Sequence, residues 1–215
     1  MSIATYAQLK TAVANWLNRS NLVDRIPEFI TMANARIHYG SEEPPFQSDP
    51  LRIRAMETSV SATIATQRIQ LPTGYLQQRR FYLASDPVRK LDYVTPENFW
   101  ATWISSQSGA PKQFTVEGEE LVIGPTPDGS YTGKLLYYKA FTAFSDETDY
   151  NWLLLNAPQA YLHGALIEAH RFTRNNDAAQ SSHAAFVGVI NALNSADKAD
   201  RHATPWVARS DVGNP

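Results

Sequence analysis

With 215 residues, 43% of them hydrophobic and 19% charged, the chain has enough apolar material for a large core, which excludes global disorder. A formal net charge of −2 argues against a nucleic-acid binder that concentrates Lys and Arg on one face, while leaving open a near-neutral wall past which DNA slides. There is no cysteine, which removes disulfides, thiolate chemistry and Cys-based zinc sites.

Residues 1–6 show neither the basic nor the apolar segment of a secretion signal, so none is expected there. The first predicted helix covers residues 5–19. Thr5 is its cap, Gln8 completes a capping box, and Tyr6, Leu9, Val13, Trp16 and Leu17 form an apolar stripe. A second helix is expected over residues 24–38, with Asp24 as N-cap, Pro27 in the first turn, and Ile26, Phe29, Ile30, Ala33 and Ile37 buried. Gly40 ends it, and residues 41–50, with three prolines, read as a linker or extended loop.

Strands are expected at residues 56–64, 68–71, 79–83 and 89–94. Thr95-Pro96 opens a short helix through Trp103. A hairpin turns at Gly118 between residues 113–116 and 120–123, and a long strand covers residues 131–138. The regular turns favour an antiparallel sheet, as a small sandwich or a single curled sheet. Two helices follow, at residues 156–174 and 177–196, the second capped by Asp177. Periodicity then stops, and residues 197–215 read as an extended tail with one aromatic, Trp206. The expected class is α+β. An antiparallel helical bundle of N- and C-terminal helix pairs (residues 1–40 and 151–196) carries an inserted antiparallel β-rich module (41–150), followed by the C-terminal tail (197–215).

No catalytic motif, phosphate loop or metal-ligand pattern is present, so no catalytic residue, metal or cofactor is expected. His163 and His170 share a helix face with Glu168 near, but a metal needs at least three converging ligands. Asp146, Glu147 and Asp149 read as capping residues before a helix. Arg79 and Arg80 are adjacent in a strand, so alternation sends them to opposite faces, and a charged sheet edge is the simpler reading. Trp100, Trp103, Tyr137 and Tyr138 fit core or interface aromatics, or alternatively a carbohydrate- or peptide-binding platform on the helical scaffold. Tyr6, Trp16 and Tyr161 read as core. No run approaches the roughly 20 apolar residues of a membrane span, so no membrane partner is expected. Trp206 in the tail is a candidate anchor for a partner, with Val207 beside it and Arg201 and Arg209 supporting it.

Several segments carry a resemblance when taken together. They are Thr5-Tyr6-Ala7-Gln8-Leu9-Lys10 with Trp16-Leu17-Asn18-Arg19-Ser20; Asp24-Arg25-Ile26-Pro27-Glu28-Phe29-Ile30 with Ala33-Asn34-Ala35-Arg36-Ile37; Leu71-Pro72 with Tyr75-Leu76; and Trp152-Leu153-Leu154, Ala157-Pro158 and the run from Tyr161 to Leu166. In order and spacing, over most of residues 3–195, they resemble the head-to-tail adaptor (connector) proteins of tailed bacteriophages. One departure is the Pro-rich stretch 39–51, standing where a helix would run directly into Arg52-Ile53-Arg54-Ala55-Met56-Glu57. The resemblance implies a non-enzymatic virion protein at the head–tail junction, assembled in the host cytoplasm. It implies a ring of about twelve copies beneath the portal protein, joined to a tail or nozzle protein and lining the DNA ejection channel without sequence-specific binding. It also implies that the C-terminal tail, with Arg201, Trp206, Val207 and Arg209, docks on the portal.

Overall fold

A computed structural model describes residues 3–103 and 107–201. The chain divides into two compact units, one of residues 1–53 with 146–215 and one of residues 54–145. Among the described residues, six α-helices run in chain order: α1 (Tyr6–Leu17), α2 (Ile26–Tyr39), α3 (Pro96–Thr102), α4 (Trp152–Asn156), α5 (Pro158–Phe172) and α6 (Asn176–Arg201). The same described residues form nine strands: β1 (Glu57–Ile64), β2 (Arg68–Gln70), β3 (Tyr75–Leu83), β4 (Arg89–Tyr93), β5 (Ser108–Gly109), β6 (Gln113–Glu117), β7 (Glu120–Gly124), β8 (Thr126–Pro127) and β9 (Tyr131–Lys139).

The expected architecture, an antiparallel helical bundle carrying an inserted antiparallel β-rich module, is overturned. The class is α+β, but among the described residues its centrepiece is one large, nearly closed mixed sheet of seven strands. The sheet order is β1-β9-β3-β4-β6-β7-β2. Every neighbour pair is antiparallel except β4 and β6, which run parallel. The physical reason is α3. A helix placed between two strands returns the chain to the starting end of the first, so the second lies parallel to it. The expected extended tail is also corrected at its start: residues 197–201 continue α6, where Arg201 pairs with Asp197 one turn back.

In the helical unit, α5 is central and packs against α1, α2, α4 and α6. Its apolar face is built from small residues: Ala160, Gly164, Ala165 and Ala169 are buried. A Cβ on Gly164 would sit 2.9 Å from the Ala33 Cβ, so α2 and α5 meet almost backbone to backbone. Thr5 caps α1 by accepting from the Gln8 amide, while the Gln8 amide oxygen takes the Ala4 N–H and so shifts the capping box by one residue. Asp24 is not a cap. Residues 20–25 form a 3-10 turn that runs straight into α2 behind Arg25, which makes no side-chain cap. Asn175, rather than Asp177, accepts from the first turn of α6. Among the described residues, no helix is long and apolar enough to cross a membrane.

In the β unit, the two edge strands β1 and β2 are joined by residues 65–67 alone, so the sheet edges meet within about 15 Å there. A seven-stranded sheet whose edges meet must curl. Ile64, Phe81, Leu83, Leu91, Phe114, Leu121, Ile123 and Leu135 then fill one interior from six strands. Gly133 is needed where that interior leaves no room for a side chain, because a Cβ there would lie 2.5 Å from Ile64 Cδ1 and 2.9 Å from Phe81. Gly133→Val should therefore destabilise the β unit by about 1–3 kcal/mol through overpacking. Gly129→Ala, whose Cβ meets nothing within 4 Å, should stay within about 0.5 kcal/mol. Denaturant midpoints of the two variants check the contrast.

Candidate docking site

Residues 41–50 read as a loose linker in sequence, yet they are clamped onto the helical unit. The clamp starts at Arg36, which lies in the otherwise apolar row of α2. Its Nε and Nη2 donate to Glu168 Oε1 of α5 at 3.2 and 2.6 Å, and its Nη1 donates to the Phe46 carbonyl at 2.9 Å. The two side chains are 7% and 6% exposed, so the pair is desolvated. Arg171 Nη2 donates to Glu43 Oε1 at 2.6 Å, and its guanidinium lies 5.2 Å from the Phe46 ring centre. From α6, His183 Nε2 lies 2.7 Å from the Gln47 carbonyl oxygen, and Asn194 accepts from the Arg52 amide at 2.9 Å and donates to the Pro50 carbonyl at 3.2 Å. Gly40 makes the turn at φ +72°, where a Cβ would meet the Ser48 carbonyl at 2.5 Å. The loop and α6 leave an open groove of about 410 Å³ lined by Tyr39, Glu42, Asp49 and Asn191.

A second polar chain ties α4 into the unit. Asn151 caps α4 by accepting from the Leu154 amide at 3.0 Å and donates to the Tyr161 hydroxyl at 2.9 Å, which donates to Asn34 at 3.1 Å. Burial pushes the Tyr161 hydroxyl up to about 12, keeping it a neutral donor. The acidic turn before α4 serves α1 instead: the carbonyls of Asp149 and Glu147 accept from the Tyr6 and Ala7 amides at 2.9 and 3.0 Å, and Lys10 pairs with Glu147.

Of the expected docking residues, Arg201 is placed at the end of α6, paired with Asp197. Trp206, Val207 and Arg209 lie outside the described residues. The aromatic platform is not assembled. Tyr137 and Tyr138 are 4% and 6% exposed, Trp100 donates to Glu117, and Trp103 donates to Gln113 at 2.8 Å while its ring packs on Gly124. Trp16 is not core: it is 62% exposed, with its ring edge-on to His163 at 5.6 Å. His163 and His170 both hold their pKa values below the usual histidine value through burial, with Arg19 adding to the effect at His170. Among the described residues, no group of three or more His, Cys, Asp or Glu is placed to hold a metal. Arg79 and Arg80 do not guard an edge, because β3 lies inside the sheet between β9 and β4.

Sequence reasoning passed over Arg36, Arg171, Glu43 and the clamp itself. The available signal was a charged residue on an apolar helical row: Arg36 in register with Phe29 and Ala33, and Glu168 between Ala165 and Ala169.

Residues 4–209 match the family described as SU10 adaptor protein. No curated protein matches the chain.

Two outcomes follow from the clamp. Glu168→Ala leaves a buried guanidinium without its carboxylate and should cost about 3–5 kcal/mol, with faster amide exchange across residues 41–50. Glu168→Ala combined with Arg36→Met should recover part of that loss, as a double-mutant cycle in denaturant will show. His38 sets a pH window. Burial, with Arg52 adding to it, pushes its pKa from 6.5 down to about 4. The unfolded chain therefore binds the proton first as pH falls, and stability is lost between pH 6.5 and 4. The loss is about 1.4 kcal/mol per pH unit, reaching about 3 kcal/mol. Urea midpoints at pH 7 and pH 4.5 should diverge less in His38→Gln than in the parent.

Proposed function

The chain belongs to the SU10 adaptor protein family, a phage head–tail adaptor family, and on that membership we propose that it forms a ring of about twelve copies beneath the portal protein, joining capsid to tail. The membership makes it a structural component of a bacteriophage virion. The ring meets the portal on one side and a tail or nozzle protein on the other, sits at the neck after assembly in the host cytoplasm, and surrounds the channel through which DNA is ejected.

One observation carries this reading. The family match runs from residue 4 to residue 209, so it spans both units and continues past α6 to include Trp206, Val207 and Arg209. A helical unit held by small-residue contacts and buried polar clamps is a stiff base for such a joint. Each tail contributes a weak contact, and a ring repeats it until the joint is tight. Trp206 supplies the apolar anchor, Val207 extends it, and Arg201 and Arg209 supply charge.

Removing residues 202–215 should leave the circular dichroism spectrum and thermal midpoint unchanged while abolishing attachment to portal rings, read by co-sedimentation. Trp206→Ala in the full chain should weaken attachment at least about tenfold. Normal attachment of the shortened protein would sink the tail assignment.

A further inference from the structure

The outer face of the curled sheet is charged in an uneven way. Register decides which residues share it. Phe81 pairs with Leu135 and Leu91, and all three point into the core. Tyr82, opposite Lys134 on one side and Lys90 on the other, therefore points outward, as does Arg80 opposite Leu136. The register shifts between Gln78 and Arg80, and this irregularity cancels the alternation expected for Arg79 and Arg80. Arg79 joins the outer face, where it pairs with Glu57 at 2.9 Å and lies over the Tyr138 ring. Lys90 is matched by Asp92 at 3.0 Å. Arg80 and Lys134 have no carboxylate partner among the described residues, so this face carries two uncompensated positive charges. Beside them, β1 presents Ser59, Ser61 and Thr63, beyond the Glu57 already paired with Arg79, leaving the surface flat.

The β6–β7 hairpin is the opposite. Gly118, at φ +58°, makes a two-residue turn between Glu117 and Glu120. Arg68 bridges Glu117 and Glu120 at 2.9 Å each, and Glu119 at the exposed tip has no cationic partner among the described residues. Three carboxylates against one guanidinium leave the tip two negative charges in excess, matching the two positive charges on the outer face of β3 and β9.

Within one copy these two surfaces cannot meet. β9 and β3 stand second and third in the sheet, β6 and β7 fifth and sixth, and a rigid sheet keeps the pairs about 14 Å apart along its surface. Two mutually complementary patches on different sides of one unit join copies head to tail, the geometry that closes a ring. We propose that the Glu117–Glu120 hairpin tip of one copy docks on the Arg80–Lys134 face of the next and forms the electrostatic part of the subunit seam. This rests on the ring reading above. Nucleic acid is the poorer occupant, because two free cations neutralise too few phosphates for useful affinity.

The test is a charge-swap mixture of full-length chains, read as mass by light scattering, alone and with portal rings. The parent should associate, and more weakly in high salt. Arg80→Glu with Lys134→Glu, and separately Glu119→Lys with Glu120→Lys, should each lose association at least about tenfold, because like charges then face each other. An equimolar mixture of the two variants should regain it, since every seam in an alternating ring is again matched. The cysteine-free background allows a second readout: a bis-maleimide should link Glu119→Cys chains to Ser61→Cys chains and link neither to itself. If the parent assembles and both variants assemble equally well, the seam is overturned and the ring stands. If the parent fails to assemble even with portal, the ring reading falls and the seam with it. If the variants bind DNA less than the parent but assemble normally, the face serves nucleic acid and the seam is overturned.

Discussion

The buried pair of Arg36 and Glu168 is the constraint around which the helical unit is arranged. Two charges removed from water are tolerated only when nearly every donor and acceptor is matched. Three guanidinium nitrogens of Arg36 are spent on Glu168 and the Phe46 carbonyl, and the second Glu168 oxygen faces Arg171 at 3.4 Å. This matching fixes the register of α2 on α5. The small-residue contact at Gly164 and Ala33 lets the helices approach closely enough for the pair to form. It also converts a proline-rich stretch into a structured wall, because one of the three bonds ends on the backbone of that loop.

The β unit solves a different problem. A seven-stranded sheet that stayed open would expose two edges, but a three-residue link between β1 and β2 draws the edges together and gives the strands one shared interior. The parallel β4–β6 pair follows from the α3 crossover and allows the hairpin β6–β7 to be set apart from the β9–β3–β4 wall. The segregation of charge between that wall and the hairpin tip is thus a consequence of topology. For a protein whose family joins head to tail, stiffness in each unit and asymmetry of its surface are the useful properties.

Much of the local structure was legible because it is written in short-range periodicity. The stripe Leu9, Val13 and Leu17 marks α1 and is buried as expected; Thr95-Pro96 starts α3; Gly118 turns the β6–β7 hairpin. The short α4 was missed, although Asn151 before Trp152-Leu153-Leu154 is a readable cap. Asp24 was misjudged because a capping residue competes with whatever precedes it, and here a 3-10 turn delivers the chain already helical. Trp16 was misjudged because a stripe identifies a face, not which of its members a neighbouring helix actually covers.

By itself the sequence determined most of the longer helical and extended segments, since hydrogen bonding and side-chain spacing within a few residues decide those. Its motifs also sufficed to place the chain with phage adaptors, a placement that the match over residues 4–209 supports. Only the tertiary structure decided the strand order, the parallel pair, the burial of Arg36 against Glu168 across 132 positions, and the shared outer face of Arg79 and Arg80. Each of these depends on contacts between distant segments, and no local preference encodes which partner a strand or a charge will find.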